Sequence, residues 1–293
     1  MPAKPTEFQT LPVPPLALGE SPVWDEQEQA LYFIDILAPQ LHRLDMQSHS
    51  LHSWRMPATI GSFGLCRTGG LILALRTGVH LFAPLAGTFK LLAQPEPHIA
   101  HNRLNDGKVG PDGRFYVGSM DDRPERAETA ALYRIDHDGT CTRIIDHLRV
   151  SNGLAWSGDG RTMYHSDTRH EWVRIHDFDV TTGNLSNMRT LCSLSEAEGR
   201  PDGAAMDAAG YYWSAGVSAG CLNRIAPDGS IARKLHLPMA APTMPCFGGP
   251  DMKTLFVTSL TKNGQAGTLV ALRVEVPGIA IERFGPVTDK ASR

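Results

Sequence analysis

The sequence predicts an all-β fold, a six-bladed β-propeller whose four-stranded antiparallel blades surround a central channel. Short stretches rich in β-branched and aromatic residues, such as "ALYFIDI" and "TLFVTSL", alternate with turns rich in Gly, Asp and Pro. Long helical patterns are almost absent. A related segment recurs six times at intervals of about 40–50 residues, which is typical of a propeller. We therefore expect residues 1–293 to form a single propeller domain, with an irregular β-sandwich as the alternative.

The segments that begin each blade define the repeat. When "ESPVWDEQEQALYFIDI" is laid over "NGLAWSGDGRTMYHSDT", Trp24 falls on Trp156, and segments of the other four units follow with few gaps. In a propeller the first strand of each blade lines the channel, so residues that enter this strand gather at one mouth. The predicted equivalent positions are Glu20, Phe63, Asp106, Asn152, Asp202 and Met244.

The rest of each unit supplies the outer strands of a blade. Several units end in Asp-Gly or Thr-Gly-Asn, which suit tight β-hairpins. The N-terminal segment 1–17 contains "FQTLPVPP", which has the alternating character of a strand. This segment could pair with the last blade, close the ring and cover an exposed sheet edge.

Composition narrows the classes of partner. The net charge of −3 and the absence of a basic stripe argue against nucleic acid, and no apolar run approaches the roughly 20 residues that cross a bilayer. The five cysteines are scattered without CxxC spacing, and the N-terminus has no apolar signal region. We expect a cytoplasmic protein, a monomer or weak homo-oligomer, that acts on a small molecule.

The predicted ring of polar residues indicates a bound cation. Carboxylates that converge in a confined channel repel one another unless a cation compensates them. Glu20, Asn152 and Asp202 offer hard oxygen ligands, which suit Ca²⁺, Mg²⁺ or Mn²⁺ and would leave coordination positions open to water or substrate. Asn152 and Asp202 taken singly are ordinary turn residues, but Glu20 is a poor turn residue and shares their place in the repeat.

Two further polar stretches accompany this ring. In "HNRLNDGKVG", Arg103, Asn105 and Asp106 lead into the third inner strand, and Arg103 could bind a hydroxyl-rich or anionic ligand. A surface ion pair is the alternative for Arg103. Residues 121–131, "DDRPERAETAA", interrupt the same blade and could form either a solvated loop or a lid over the channel mouth.

These motifs resemble the senescence marker protein/regucalcin/gluconolactonase family, six-bladed propellers that hydrolyse sugar lactones. The matching stretches are "GESPVW", "NRLNDGKVGPDGRFYVGSM", "SNGLAWS", "GRPDGAAMDAAGYYW" and "CFGGPDMKTLFVTS", and the resemblance runs from about Leu18 to Leu260. It implies that Glu20, Asn152 and Asp202 are the ligands of one divalent metal ion. Calcium is preferred, and Zn²⁺, Mg²⁺, Mn²⁺ or Fe²⁺ remain possible.

The resemblance also implies roles for the neighbouring residues. Arg103 and Asn105 match the substrate-binding pair of the family, we assign Asp106 to the substrate with them, and Asp202 matches the general base. The stretch "DDRPER" departs from the animal members, so substrate contacts of that loop do not carry over.

The functional hypothesis is metal-dependent hydrolysis of an aldonolactone such as glucono-, xylono- or arabinono-lactone. The metal would polarise the carbonyl and activate water, with Asp202 as base. No Ser-His-Asp or Cys-His arrangement is evident, so a covalent acyl-enzyme is not expected. A non-catalytic calcium-binding propeller and a propeller esterase or organophosphate hydrolase are the alternatives.

Overall fold

The computed structural model describes residues 7–287 and confirms the six-bladed propeller: six four-stranded antiparallel sheets. No helix among the described residues is long and apolar enough to cross a membrane. The first twelve strands are β1 (Phe8–Thr10), β2 (Gly19–Asp25), β3 (Ala30–Asp35), β4 (Gln40–Asp45), β5 (Leu51–Arg55), β6 (Ile60–Leu65), β7 (Leu71–Leu75), β8 (Gly78–Ala83), β9 (Thr88–Ala93), β10 (Asn102–Val109), β11 (Phe115–Asp121) and β12 (Ala130–Ile135). The remaining strands are β13 (Cys141–Leu148), β14 (Ser151–Trp156), β15 (Thr162–Asp167), β16 (Trp172–Phe178), β17 (Leu185–Ser193), β18 (Pro201–Met206), β19 (Tyr212–Gly216), β20 (Cys221–Ile225), β21 (Ile231–His236), β22 (Pro242–Gly248), β23 (Thr254–Ser259) and β24 (Leu269–Arg273).

The sixth blade combines both ends of the chain. Strand β1 pairs antiparallel with β24, with Gln9 opposite Ala271, and so becomes the outermost strand beside β24, β23 and β22. The edge of β24 is thereby covered, which removes a site for unwanted strand pairing. Of the N-terminal segment 1–17, residues 1–6 lie outside the described part of the chain.

Burial follows the position of a strand in its blade. Every residue of the innermost strands β2, β6, β10, β14, β18 and β22 is buried, whereas outer strands such as β5 and β17 are largely exposed. The apolar core lies between neighbouring blades, where large side chains interlock. Tyr116 of the third blade packs against Trp156 of the fourth at 5.2 Å between ring centroids, and Trp24 of the first stacks on Phe256 of the sixth at 5.8 Å. Burying each such ring contributes about 1.5–3 kcal/mol.

One backbone hydrogen bond recurs in every blade and defines the true repeat register. The residue after the second strand donates its amide to the carbonyl of the residue before the inner strand. The six pairs are Ile36 to Leu18, Arg76 to Thr59, Asp122 to His101, Thr168 to Val150, Val217 to Arg200 and Leu260 to Ala241. The second residue after each acceptor is Glu20, Gly61, Arg103, Asn152, Asp202 and Thr243.

This register confirms the equivalence of Glu20, Asn152 and Asp202 and corrects the other three predicted positions. Phe63, Asp106 and Met244 were placed one to three residues too far along the chain. Phe63 instead packs in the apolar core beside Tyr32. The error has a physical cause, because the inner strands carry bulges of different length. Register shifts lie between Ile60 and Ser62 in β6 but between Leu104 and Gly107 in β10.

The C-terminal segment 277–287 crosses the face of the ring at which the inner strands end. Its backbone pairs with hairpin turns of several blades, through Ile279 to Met206 and Phe284 to Leu65. Arg283 forms an ion pair with Asp25 at 2.5 Å. A cavity of about 530 Å³ remains between this segment and the inner strands. The opposite mouth, where the inner strands begin, holds the site described next.

Candidate active site

The mouth at which the inner strands begin collects the polar residues singled out in the sequence. Strand β2 supplies one of them, β10 three, and β14 and β18 one each. None of the six is more than a tenth exposed, although all are polar or charged. They are Glu20, Arg103, Asn105, Asp106, Asn152 and Asp202.

β-Bulges turn these side chains toward the channel. In β2 the register shifts between Glu20 and Val23, and in β14 it shifts between Asn152 and Ala155. The residues that follow Glu20 and Asn152 take a left-handed conformation, with φ of 45° at Ser21 and 62° at Gly153. A side chain at Gly153 would also collide with the Tyr212 hydroxyl, which donates to the Gly153 carbonyl at 2.7 Å. Bulges and unusual backbone conformations of this kind are concentrated at functional sites.

Three carboxylates share this buried mouth. Burial raises the pKa of Glu20 well above its usual range, and repulsion from Asp202 and Asp106 raises it further. Burial and then repulsion from Asp106 raise the pKa of Asp202 in the same way. Within residues 7–287, none of the three forms an ion pair with Lys or Arg. Arg103 opposes the raised pKa of Glu20 and of Asp202, and buried Lys108 opposes that of Asp106. Three carboxylates thus face two buried cations, and the site keeps a net negative charge when all five groups are ionised.

The amide of Asn152 is oriented by a hydrogen bond. Its Nδ2 donates to Thr168 Oγ1 at 2.8 Å, and Thr168 Oγ1 in turn donates to the Pro201 carbonyl at 2.7 Å. With Nδ2 directed to Thr168, the Oδ1 of Asn152 faces Asn105, whose Nδ2 lies 3.4 Å away. This long contact leaves Oδ1 as an available oxygen ligand.

Arg103 and Asn105 form a connected pair on the other side of the mouth. Arg103 Nη1 donates to Asn105 Oδ1 at 2.8 Å, and Asn105 Nδ2 donates to the Ser151 carbonyl at 2.9 Å. Arg103 Nε also pairs with Asp122 at 3.2 Å. Desolvation lowers the pKa of Arg103, while Asp122 acts in the opposite direction. The guanidinium is thus fixed from both sides, and a cavity of about 190 Å³ adjoins it.

The oxygen set fits a divalent cation. Residues 7–287 contain no group of three or more His, Cys, Asp or Glu side chains placed to hold a metal, so a cation site here depends on the Asn152 amide beside two carboxylates. A cation here would take the carboxylates of Glu20 and Asp202 together with the amide oxygen of Asn152. Asp106 adds a buried Oδ1 without a hydrogen-bond partner, beside an Oδ2 that accepts from the Leu154 amide at 3.1 Å. Hard oxygen ligands of this kind suit Ca²⁺ or Mg²⁺.

Residues 18–261 match the SMP-30/Gluconolactonase/LRE-like region family. The chain belongs to this family. A 6-deoxy-6-sulfogluconolactonase of Pseudomonas putida is 40% identical over 280 residues, which cover 92% of this chain and 96% of the relative. A regucalcin of Xenopus laevis is 38% identical over 247 residues, 83% of each chain. The crystal structure of a calcium-binding protein, regucalcin, from Agrobacterium tumefaciens superposes with a TM-score of 0.90 at 25% identity, covering 96% of this chain and 98% of that one.

Within this member of the SMP-30/gluconolactonase family, the sequence analysis missed three residues that support the site. Thr168 orients Asn152, Asp122 holds Arg103, and the Nζ of buried Lys108 donates to the Ala204 carbonyl at 2.7 Å. Thr168 and Asp122 occupy the same place in the repeat, directly after the second strand of a blade. Blades one and six have the apolar residues Ile36 and Leu260 at this position. A polar residue directly after the second strand was therefore the signal in the sequence that could have identified Thr168 and Asp122.

The segment 121–131 touches the site through one of these residues. Asp122 contacts Arg103, while Asp121 is fully buried and accepts from the Ala127 amide at 2.7 Å. The loop between β11 and β12 is therefore anchored beside Arg103 and Asn105. Closure of this loop as a lid remains a prediction.

Proposed function

We propose that this protein is a hydrolase that opens sugar lactones to the corresponding aldonic acids. The observation that carries the proposal is the buried mouth, where two carboxylates that form no ion pair and an oriented amide lie beside the Arg103–Asn105 pair. Membership of the SMP-30/gluconolactonase family and 40% identity to a protein named as a sulfogluconolactonase support the same chemistry.

Glu20, Asn152 and Asp202 hold the cofactor in this proposal. A divalent cation bound by them supplies Lewis-acid polarisation of the lactone carbonyl. We favour Ca²⁺, because the donors are all hard oxygens and a relative of known structure is described as a calcium-binding protein. Thr168 holds the Nδ2 of Asn152, which leaves the Oδ1 of the same amide available to the cation.

Asp202 accepts the proton of the attacking water in the proposed mechanism. The water oxygen adds to the lactone carbonyl carbon, the ring C–O bond breaks, and the ring oxygen takes up a proton to become a hydroxyl. Asp202 is a carboxylate of the buried mouth that, once ionised beside the cation, would serve as the proton acceptor. The buried site excludes bulk water from the reacting groups.

Arg103, Asn105 and Asp106 position the sugar. Arg103 offers guanidinium donors to a ligand at the mouth, and the Oδ1 of Asp106, which has no hydrogen-bond partner, can accept from a sugar hydroxyl. Holding the lactone ring in a fixed position relative to Asp202 raises the effective concentration of the reacting groups and so lowers the entropic part of the barrier. Glucono-, xylono- and arabinono-lactone are the proposed substrate class.

The test combines removal of the cation with substitution of its proposed ligands. Acid release from an aldonolactone panel is measured with and without chelator, and each divalent ion is then restored in turn. We expect activity to vanish with chelator and return with Ca²⁺, and Asp202→Ala and Asn152→Ala each to abolish it while circular dichroism shows an intact fold. Full activity of either variant in chelated buffer would overturn the proposal. Calcium binding without acid release from any lactone would favour the non-catalytic alternative.

A further inference from the structure

Three arginines from three different loops lie next to residues of the mouth or to their partners. They stand on the loop between β11 and β12, on the loop between β15 and β16, and directly before β18. None of the roles derived above uses them. They are Arg126, Arg169 and Arg200.

Arg169 is placed by a residue that touches the site. Its neighbour Thr168 bonds both the Asn152 side chain and the Pro201 carbonyl, so the loop lies against the mouth. The Arg169 backbone amide donates to Asp167 Oδ1 at 2.9 Å. Its guanidinium is exposed and, in the part of the chain that the structure describes, has no hydrogen bond or ion pair.

Arg200 approaches the same mouth from the fifth blade, one residue before Pro201. Its backbone amide donates to Ser218 Oγ at 2.8 Å, and its Nη1 pairs with the exposed carboxylate of Glu196 at 2.9 Å. The Nε of Arg200 is buried and finds no hydrogen-bond partner among residues 7–287. The Nε–H group of this guanidinium therefore lacks a hydrogen-bond acceptor.

Arg126 connects this pair to the substrate-binding arginine. Its Nη1 donates to the Asp121 carbonyl at 2.5 Å and lies 3.7 Å from Asp122, which also holds Arg103. Repulsion from Arg126 lowers the pKa of both Arg103 and Arg169, after the larger effect of desolvation in each case. Arg126 is therefore close enough to act on both.

The nearby carboxylates are already engaged elsewhere. Asp122 is shared between Arg76, Arg103 and Arg126, and Glu128 pairs with Arg149 and His170. Among residues 7–287, Arg126 shares Asp122 with two other arginines, Arg200 pairs with Glu196, and Arg169 has no ion pair. Clustered cations with unmet donors raise the local concentration of anions and bind them through forked hydrogen bonds.

We propose that the lactone substrate carries a tetrahedral oxyanion, a sulfonate or phosphate remote from the lactone carbonyl, and that Arg126, Arg169 and Arg200 bind it. This inference rests on the proposed lactonase function and narrows its substrate class. Three guanidinium groups match the three terminal oxygens of such a group, whereas a neutral sugar terminus would leave the Arg169 fork and Arg200 Nε unmet.

The experiment compares gluconolactone with its 6-sulfo-6-deoxy and 6-phospho counterparts on the cation-loaded full-length protein. We expect KM for at least one anionic lactone to be about tenfold or more below that for gluconolactone, since charge-assisted hydrogen bonds are the strong ones. The two anionic substrates separate a sulfonate from a phosphate preference. Arg169→Gln should remove most of this preference while changing kcat/KM for gluconolactone less than about twofold, and Arg169→Lys should restore part of it.

A matched control and a second variant keep the outcomes distinct. Arg143→Gln changes an exposed arginine of the outer strand β13 that pairs with Asp146, and it should leave the preference intact. Arg126→Gln should reproduce the loss seen with Arg169→Gln. Equal KM for neutral and anionic lactones, or an equal loss on both substrates in Arg169→Gln, overturns this inference but leaves the lactonase proposal standing. Hydrolysis of none of the three lactones overturns both.

Discussion

The propeller buries two kinds of carboxylate, and they differ in their partners rather than in their burial. The first kind lies at blade corners and hairpin turns and is fully bonded: Asp25, Asp35 and Asp207. The second kind lies at the mouth of the channel and lacks ion pairs with Lys or Arg across residues 7–287: Glu20, Asp106 and Asp202. All six side chains are less than a tenth exposed.

The corner carboxylates hold backbone segments together. Asp35 accepts from four amides, which belong to residues 17, 18, 37 and 38. Asp207 accepts from Trp213 Nε1 at 2.9 Å and from Arg224 Nη2 at 2.7 Å, besides two backbone amides of its own turn. No oxygen of these three carboxylates is among the buried atoms that lack a hydrogen-bond partner, so these charges stabilise the fold.

The channel carboxylates lack this compensation. Glu20 accepts from the Ser21 amide at 2.8 Å, and Asp106 has one oxygen with no partner. Repulsion among them adds to the cost of burial. A buried carboxylate is therefore a candidate for ligand binding when the protein gives it too few hydrogen-bond donors or ion-pair partners. Burial alone does not distinguish the two kinds.

The largest expected effect is a difference in folding stability between variants of the two kinds of carboxylate. Asp207→Asn should lower the free energy of unfolding by about 3–5 kcal/mol, because Arg224 is left without its carboxylate in a largely buried network. Asp202→Asn should instead raise the stability of the cation-free protein, because it removes like charge from the mouth. Urea denaturation in chelated buffer measures both.

Activity per folded molecule supplies the control for this contrast. Asp207→Asn should retain lactone hydrolysis at low temperature, while Asp202→Asn should lose it. A destabilising Asp202→Asn variant in chelator would contradict the division into two kinds of carboxylate.

A smaller effect concerns the loss of folding stability at low pH, which should come from a buried histidine rather than from the carboxylates of the channel mouth. Burial lowers the pKa of His165 from 6.5 to about 3, so below pH 6.5 the unfolded chain binds a proton that the folded chain does not. Stability should therefore fall by about 2 kcal/mol from pH 7 to pH 5 through this group alone. His165→Asn should flatten that slope in urea titrations at the two pH values.

The channel carboxylates act in the opposite sense, which sharpens the test. Because the pKa of Glu20 and of Asp202 is raised in the folded state, the cation-free protein gains protons, and hence stability, as pH falls toward about 4. If Asp202→Asn rather than His165→Asn removed the loss of stability in acid, the assignment would be wrong.

The smallest expected effect tests how the Asn152 amide is oriented. Thr168→Val keeps the shape of the side chain but removes the hydroxyl that accepts from Nδ2. We expect calcium affinity, measured by isothermal titration calorimetry, to fall about tenfold, as for other residues that orient metal ligands. Thr190→Val, on the exposed strand β17, should leave the affinity unchanged. Equal affinity of Thr168→Val and the wild-type protein would exclude this positioning role.

The sequence predicted the blade count and the shared place of Glu20, Asn152 and Asp202 because those features are local. Trp24 and Trp156 mark the same point of two units, and the hairpin turns recur beside them. The sequence placed the equivalent residue wrongly in the second, third and sixth blades. The Asn-Asp-Gly of "RLNDGK" resembles the Asn-Gly of "SNGLAW" and drew the register onto Asp106, whereas the backbone hydrogen bonds place Arg103 there.

The sequence by itself determined the repeat, the strands and the presence of hard oxygen ligands at one recurring position. Only the tertiary structure decided which acids are satisfied, because the donors that distinguish Asp207 from Asp202 are set by chain folding and not by residue type. It also decided that Thr168 and Asp122 reach the same mouth. These residues lie on separate loops, and the closure of six blades into a ring brings them together.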